Sequence, residues 1–468
     1  MENMEASLPS AAGQVDYAVP KVVAPVDEIL PFGQMFAVGL QHVMVMYAGA
    51  VAVPLILGEA LKLDKEQIAF LINADLFAGG LATLIQCIGF WKIGIRLPVV
   101  MGVTFAGVGP MVAMAAAHIP VTSIFGAVIC AGVFALIIAP FFSKLVRFFP
   151  PLVTGTIIAI IGITLLRVGI TWAGGGVLAK QNFGNPQYLG IVAVVLGIIL
   201  LLNKISTGFI SNVSVLIGLI VGFLVAIPAH LVNFEGVHKA PWFAIVYPFR
   251  FGFPTFDFAS CVSICLVMIV VMVESTGMFL AMGEICDVKV GPDKLASGLA
   301  ADGLGTIIGG LFNTFPYTSF SQNVGLVGIT GVRSRYVVAV SGLILISLGL
   351  FPKMATIIAS IPQPVLGGAG LCMFGMVAAT GIKILSRVDF NKRHNLLIMA
   401  VSIAVGMIPL VSPNFFDKMP KFLDAIVHSG ITLTAIMAVL LNTIFNGATS
   451  AEEIDHELAA TAAAASEH

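Results

Sequence analysis

The stretch SFSQNVGLVGITG, Ser319 to Gly331, decides how this chain is read. It sets Ser319, Ser321, Gln322 and Asn323, with three glycines, inside an otherwise apolar sequence. It is too short and too glycine-rich to be an ordinary spanning helix. Around it, the 468 residues are 58% hydrophobic and only 10% charged, where a soluble domain has roughly 25% charged residues. The composition therefore reads as a polytopic, all-α integral membrane protein rather than a soluble enzyme with one anchor. A net charge of −1 provides no basic field for nucleic acid.

A spanning helix needs about 20 mostly apolar residues. Fourteen candidate segments follow, at 34–57, 68–90, 97–117, 121–142, 151–170, 188–203, 210–233, 258–283, 294–313, 318–330, 336–351, 363–385, 395–412 and 428–446. The third and tenth are irregular, with Gly, Pro and polar residues inside the run. The stretch 353–361 is apolar but short, and reads as an interfacial piece. The N-terminal 30 residues and those after 447 read as solvated tails, and the first of these lacks the basic and apolar regions of a cleavable signal.

Two internal matches organise these segments. PLVTGTIIAIIG from Pro151 resembles PVLGGAGLCMFG from Pro364, so that Pro151, Gly155 and Gly162 align with Pro364, Gly368 and Gly375 at an offset of 213. TFAGVGP (Thr104 to Pro110) resembles SFSQNVG (Ser319 to Gly325) at an offset of 215. The matches pair segment 5 with 12 and segment 3 with 10. A shift of seven segments is odd, so the two halves are expected to face opposite ways across the bilayer: a 7+7 inverted repeat, an architecture of many secondary transporters. With a cytoplasmic N-terminus, Lys and Arg divide fourteen inside to nine outside, which favours both termini inside.

Ionisable side chains at bilayer depth are functional candidates because each costs roughly 2.5–3.5 kcal/mol to insert. Glu274 is the clearest, since the sixteen residues from Val262 to Gly277 hold no other charge. Such a carboxyl is expected to be protonated, paired, or facing a water-filled cavity; the plainer alternative is a helix–helix hydrogen bond. Asp302 lies among small residues in segment 9, where it reads either as a structural acceptor or as a proton-coupling carboxylate. His42, alone on the apolar segment 1, reads as structural more readily than functional. Asp75 is placed near the start of segment 2, where an acid suits the helix dipole. Glu284 and Asp287 read as solvated cap residues. The six cysteines read as small core residues, with no His or acid near enough to suggest a zinc set.

Unwound backbone in a membrane is tolerated where it is buried in protein or lines a cavity. Two such stretches at matching places in two halves point to the binding site. Their half-helix N-termini offer free N–H groups and a partial positive charge. Gln322 carries an acceptor oxygen and two donors, which together with backbone N–H groups read a planar ring showing C=O and N–H on one edge. Phe105 can stack on the ring's face. This pattern suits a nucleobase better than a sugar or a bare ion.

At these residues the chain resembles the nucleobase–ascorbate transporters. The family signature, Gln or Glu, Asn, one residue, Gly, four residues and Thr, corresponds to Gln322, Asn323, Gly325 and Thr330. QHV with His42, Glu274 in segment 8, ADGLG with Asp302, NTFPYTSFSQN and FPKMATIIASIPQPVLGGAGLCMFG are also similar, over about residues 30 to 446. The resemblance implies core domain parts at 31–148 and 251–361 and gate domain parts at 149–250 and 362–447, with cytoplasmic tails at 1–30 and 448–468. It further implies short extended stretches in segments 3 and 10, proton-coupled purine uptake by an elevator-type motion, a homodimer, a plasma-membrane location (the bacterial inner membrane), and no cofactor. On matching positions it implies that Glu274 and Gln322 bind the base, that Phe105 stacks on it, and that Ser321 contributes backbone contacts. Asn323, Asp302 and His42 are implied to support the site or its coupling.

One position departs from the family's xanthine-type members, many of which carry Asp one turn after the binding Glu. Here that position is Met278. Urate is a monoanion at neutral pH and xanthine largely neutral, so one fewer carboxylate favours urate, because like charges repel strongly at low dielectric. Thr104 and Ser429 also resemble the urate-transporting branch. The alternatives are a xanthine or dual xanthine/urate symporter and, in a different class, a small-anion transporter or exchanger on the same fold. A channel fits fixed acidic sites at the midplane less well, and no nucleophile–base pair or metal cluster supports an enzyme.

Overall fold

The computed structural model describes residues 24–142, 148–176, 179, 182–234, 236–420 and 423–447. Most of both expected tails lies outside the described residues, as do Lys21, Lys144, Arg147, Lys180 and Lys421 of the charge count. The described residues contain fourteen helices of nine residues or more, each lying over one apolar run of the sequence. In the first half these are α1 (Phe32–Ala60), α2 (Lys65–Ile88), α3 (Val108–Ala116), α4 (Val121–Ile138), α5 (Pro151–Ala173), α6 (Pro186–Ile205) and α7 (Ser214–Ala226). In the second they are α8 (Phe258–Ile285), α9 (Pro292–Leu311), α10 (Ser321–Thr330), α11 (Arg335–Gly349), α12 (Gln363–Leu385), α13 (Arg393–Val411) and α14 (Gly430–Phe445). Eight of them, α1, α2, α4, α5, α6, α8, α12 and α13, are long and apolar enough to cross a membrane. A ninth span results if α11 is joined to the short helix Pro352–Ile358, which bends from it by 83°. The protein is thus a mostly helical, multi-pass membrane protein.

Polar caps and prolines place the helix starts. Asp64 and Gln67 form a reciprocal capping box at α2, and Asp257 accepts from the Ser260 N–H at α8. Proline occupies the first turn of α5, α6, α9 and α12, where its missing N–H costs nothing. Because α2 starts at Lys65, Asp75 lies three turns inside it, which corrects the expected helix-start position and its dipole rationale. Asp75 is instead buried, with the Tyr317 hydroxyl 2.8 Å from its Oδ1.

In a bilayer the helices gain little by hiding apolar surface from lipid, so close packing over small residues holds them together. α5 crosses α12 where Gly162 lies against the Ala378 backbone and Gly381 against that of Ala159. α2 crosses α11 at Gly80 and Gly342, and α4 crosses α9 at Gly132 and Gly303.

The irregular segments share one form: a three-residue strand that leads through a short turn into a short helix. Strand β1 (Met101–Val103) precedes α3, and β2 (Tyr317–Ser319) precedes α10. The strands pair antiparallel with Gly102 opposite Thr318 at the centre. Hydrogen bonds from Thr104 N to Pro316 O (2.9 Å) and from Phe320 N to Val100 O (3.0 Å) extend the ladder at both ends. Thr83 accepts from Met101 N (3.0 Å) and Thr306 from Tyr317 N (3.1 Å). Buried backbone polar groups are thereby satisfied without a helix.

Candidate functional site

The two short helices begin beside one cavity of about 420 Å³, within the usual range for small-ligand sites. Val103 to Ala106 line it from one irregular segment and Thr318 to Gln322 from the other. α8 adds Glu274 and, one turn later, Met278. Thus Glu274, Gln322, Phe105, Ser321, Thr104 and Met278, singled out in sequence, share one chamber although they come from three separate stretches. At one end of the bundle its lining reaches the surface, through the partly exposed Phe149, Pro150, Asn212 and Ile384 and the exposed Arg387. Among its described lining residues the ionisable ones are Glu274, deep inside, and Arg387, at the mouth.

Each element has a local reason for its position. The Thr104 hydroxyl accepts from Ala106 N (3.1 Å) and shapes the turn that presents Phe105. The Phe105 ring meets Phe374 of α12 edge-on, with centroids 5.8 Å apart, which leaves a ring face for a flat ligand. At α10, Phe320 is the N-cap and supplies no side-chain acceptor, so the first-turn N–H groups keep their capacity for a ligand's oxygens. Gly331, with φ of 65°, ends this helix in the left-handed conformation that glycine adopts most easily. Next to Glu274, Ser275 ties α8 to β2, its hydroxyl lying 3.2 Å from Thr318 Oγ1 and accepting from Ser319 N at 3.4 Å.

The remaining candidates lie outside the chamber wall. His42 and Asn323 are both buried and joined: Asn323 Nδ2 sits 3.0 Å from His42 Nδ1 and 2.9 Å from the His42 backbone oxygen. They pin α10 to α1 directly behind Gln322. Asp302 is fully buried on α9, where Oδ1 accepts from Gln86 Nε2 at 2.9 Å. Gln86 Oε1 in turn accepts from Ile95 N, which fixes the orientation of its amide. Asp302 Oδ2 and Asn323 Oδ1 are buried with no hydrogen-bond partner among the described residues. Ser429 is buried at the N-cap of α14, accepting from Thr432 N (3.2 Å) and from the Thr432 hydroxyl (2.8 Å), and does not line the chamber.

The sequence reading passed over Gln86, Tyr317 and Arg387. Gln86 had a faint signal: it lies 216 residues before Asp302, close to the offsets of 213 and 215 at which the two internal matches fall. Tyr317 had none, since its partner Asp75 is distant in the chain, and nor had Arg387, which joins residues of distant segments only in the cavity lining. The cysteines are free among the described residues, and no His, Cys, Asp and Glu cluster there suits a metal ion.

Comparison with known proteins places this geometry among permeases. A model described as a permease family matches residues 33–415. The chain is 52% identical over 450 residues to the uric acid transporter UacT of Escherichia coli (strain K12), across 96% of this chain and 92% of that protein. It is 43% identical over 426 residues to the xanthine permease of Bacillus subtilis (strain 168), across 91% and 97%. Among solved structures, the transmembrane domain of the cyanobacterium bicarbonate transporter BicA is similar with a TM-score of 0.57 at 16% identity, over 88% of this chain and 96% of that one; this likeness is one of fold alone.

Proposed function

The chain belongs to the nucleobase–ascorbate transporter family of permeases, and from that premise we propose that it takes up a purine base, urate preferred, by proton-coupled secondary transport. The observation that carries this reading is the convergence of Glu274, Gln322, Phe105 and Thr104 on one chamber at the starts of two short helices. In it Gln322 and the α10 N–H groups read the base edge, Phe105 stacks on its face, and Glu274 accepts a ring N–H. Asp302, whose Oδ2 lacks a partner, and Glu274 are the carboxyls through which a proton couples to transport. Met278, in place of a second carboxylate, admits a monoanion.

The repeat is read as seven plus seven. Its support is that a shift of seven places maps the main helix contacts onto one another: α2 on α11 becomes α9 on α4, α6 on α7 becomes α13 on α14, and α5 on α12 returns itself. Helices α1–α4 and α8–α11, with both strands, form a core that carries the site. Helices α5–α7 and α12–α14 form a gate, past which the core slides in an elevator motion. The chamber mouth lies at the ends of α5 and α12 that the excess of basic residues assigns to the cytoplasm, so this structure faces inward, with both termini cytoplasmic in a bacterial inner membrane. Gate helices α6 and α13 bury only 22% of their apolar windows, which leaves apolar faces for lipid and a second copy.

Labelled urate uptake by cells or proteoliposomes tests the reading. Urate should enter, xanthine should compete, and uracil should compete poorly. Glu274→Ala and Gln322→Ala should each reduce uptake roughly 100-fold at unchanged expression, since each removes a polar partner from a desolvated site. Normal affinity in both variants would place the site elsewhere. A small-anion exchanger on the same fold is the second reading, since the half-helix N-termini offer N–H groups that can hold a small anion. Glu274 in the chamber opposes it, because a small inorganic anion has no ring N–H to offset the repulsion, and bicarbonate or sulfate flux without urate flux would establish it.

A further inference from the structure

We infer that Glu59 is the latch of the outer gate, a positioning residue that holds the core against the gate at the end of the molecule opposite the chamber mouth. This inference rests on the transport reading above. Glu59 is the penultimate residue of α1, in the core. Its carboxylate accepts two hydrogen bonds, and both come from the gate. Oε2 accepts from the indole Nε1 of Trp172, the penultimate residue of α5. Oε1 accepts from Nε2 of Gln363, the first residue of α12, at 2.8 Å. Trp172 is 2% exposed, so its indole is held rather than free to follow the carboxylate. α5 and α12 pack tightly on each other over their glycines. A single carboxylate on the moving half therefore grips both members of a rigid pair on the stationary half.

The position matters as much as the bonds. The chamber mouth is lined by Pro150, Pro151, Asn212 and Arg387, near the start of α5 and the end of α12. Trp172 and Gln363 sit at the other ends of those same two helices. The latch thus closes the end that is shut while the other end is open. Hydrogen bonds to an ionised acceptor are among the stronger ones in proteins. These two exist only while the halves touch at the outer end, so they contribute to one state of the cycle and not to the other. Such a differential contact is what shifts a conformational equilibrium. Both donors are neutral, so no buried ion pair has to be separated when the latch opens.

The test uses the full chain in proteoliposomes or cells. Glu59→Ala should raise the outward-facing fraction and lower KM for external purine by roughly ten-fold, because apparent affinity scales with the competent population. Trp172→Phe, which removes one of the two bonds, should give a smaller shift in the same direction. Glu59→Gln, which keeps one acceptor oxygen for the two donors, should shift KM less than Glu59→Ala does. A merely structural role would lower protein amount and Vmax together and leave KM in place; that outcome in Glu59→Ala and Trp172→Phe overturns the latch. In a second measurement, Glu59→Cys and Gln363→Cys are combined in a chain whose six native cysteines are replaced, then bridged by a short, reducible bis-methanethiosulfonate. Bridging should stop uptake and reductant should restore it, whereas uptake at the unbridged rate overturns the inference. A parent chain that carries no purine sinks the transport reading instead. The latch is then judged by mass spectrometry of the bridged peptides, whose absence overturns it.

Discussion

At the scale of single residues, the site separates charge from shape. Gln322 and the backbone of α10 supply neutral hydrogen-bonding groups, while Glu274 is the one carboxyl among the described residues of the chamber wall. Met278 stands one helical turn from Glu274. Met278→Asp would add a second carboxylate to the chamber wall, and a unit charge about 6 Å from a bound monoanion repels it by about 3 kcal/mol at an effective dielectric near 20. Urate affinity should fall by roughly 10- to 100-fold while neutral xanthine changes less; equal affinities for urate before and after, measured by competition, would remove the charge argument. Asp302→Asn keeps the size of the side chain and an acceptor for Gln86 but cannot carry a proton. Under the proposed coupling it should abolish accumulation against a gradient while exchange of internal for external purine persists, which separates the two roles in one uptake assay. Glu274, Gln322 and Phe105 were legible in the sequence because each is anomalous where it stands: a lone charge, an amide in an apolar run, an aromatic beside a glycine turn. Ser429 was singled out by resemblance alone, and the structure gives it a cap rather than a place in the chamber. Asp75 shows the opposite error. A helix start misjudged by a few residues assigned it to a dipole, when its partner Tyr317 lies 242 residues away.

At the scale of elements, two features do most of the positioning: the paired strands and the glycine crossings. The strands hold Thr104 and Phe320 at fixed separation by bonding each to the other segment's backbone, so the two helix starts that follow cannot drift apart. The crossings set how closely helices approach, and they yield a sharp contrast. Gly162 faces the Ala378 backbone, whereas a side chain at Gly190 would meet nothing within 4 Å. Gly162→Leu should therefore overpack the α5–α12 contact, at a cost of about 1–3 kcal/mol, and lower the melting temperature in detergent. Gly190→Leu should leave it nearly unchanged. Similar shifts in both variants would mean that the crossing is looser than its geometry implies. The glycines were visible in sequence as half of the repeat, but which helix each one faced was not, because a glycine pattern marks a smooth surface without naming its partner.

At the scale of the whole molecule, the proposed inward-facing state joins an open chamber at one end to Glu59 and its two partners at the other. An uncoupler should collapse urate accumulation to its equilibrium level; accumulation that survives it would sink proton coupling and leave the purine site untouched. What the sequence determined by itself was the kind of protein and the residues worth watching. Apolar run length fixes a membrane protein because a spanning helix must match the bilayer's thickness, and two motifs at nearly one offset pointed to the repeat proposed above. Chain order also revealed the deep carboxyls, since charge inside an apolar run is conspicuous in one dimension. What only the tertiary structure decided was which of these residues meet. Glu274 and Gln322 on one chamber, Gln86 against Asp302, Asn323 against His42, and Glu59 between Trp172 and Gln363 all depend on contacts between helices far apart in the chain. Such contacts are set by the depth and angle at which helices cross, and linear spacing carries no direct record of either.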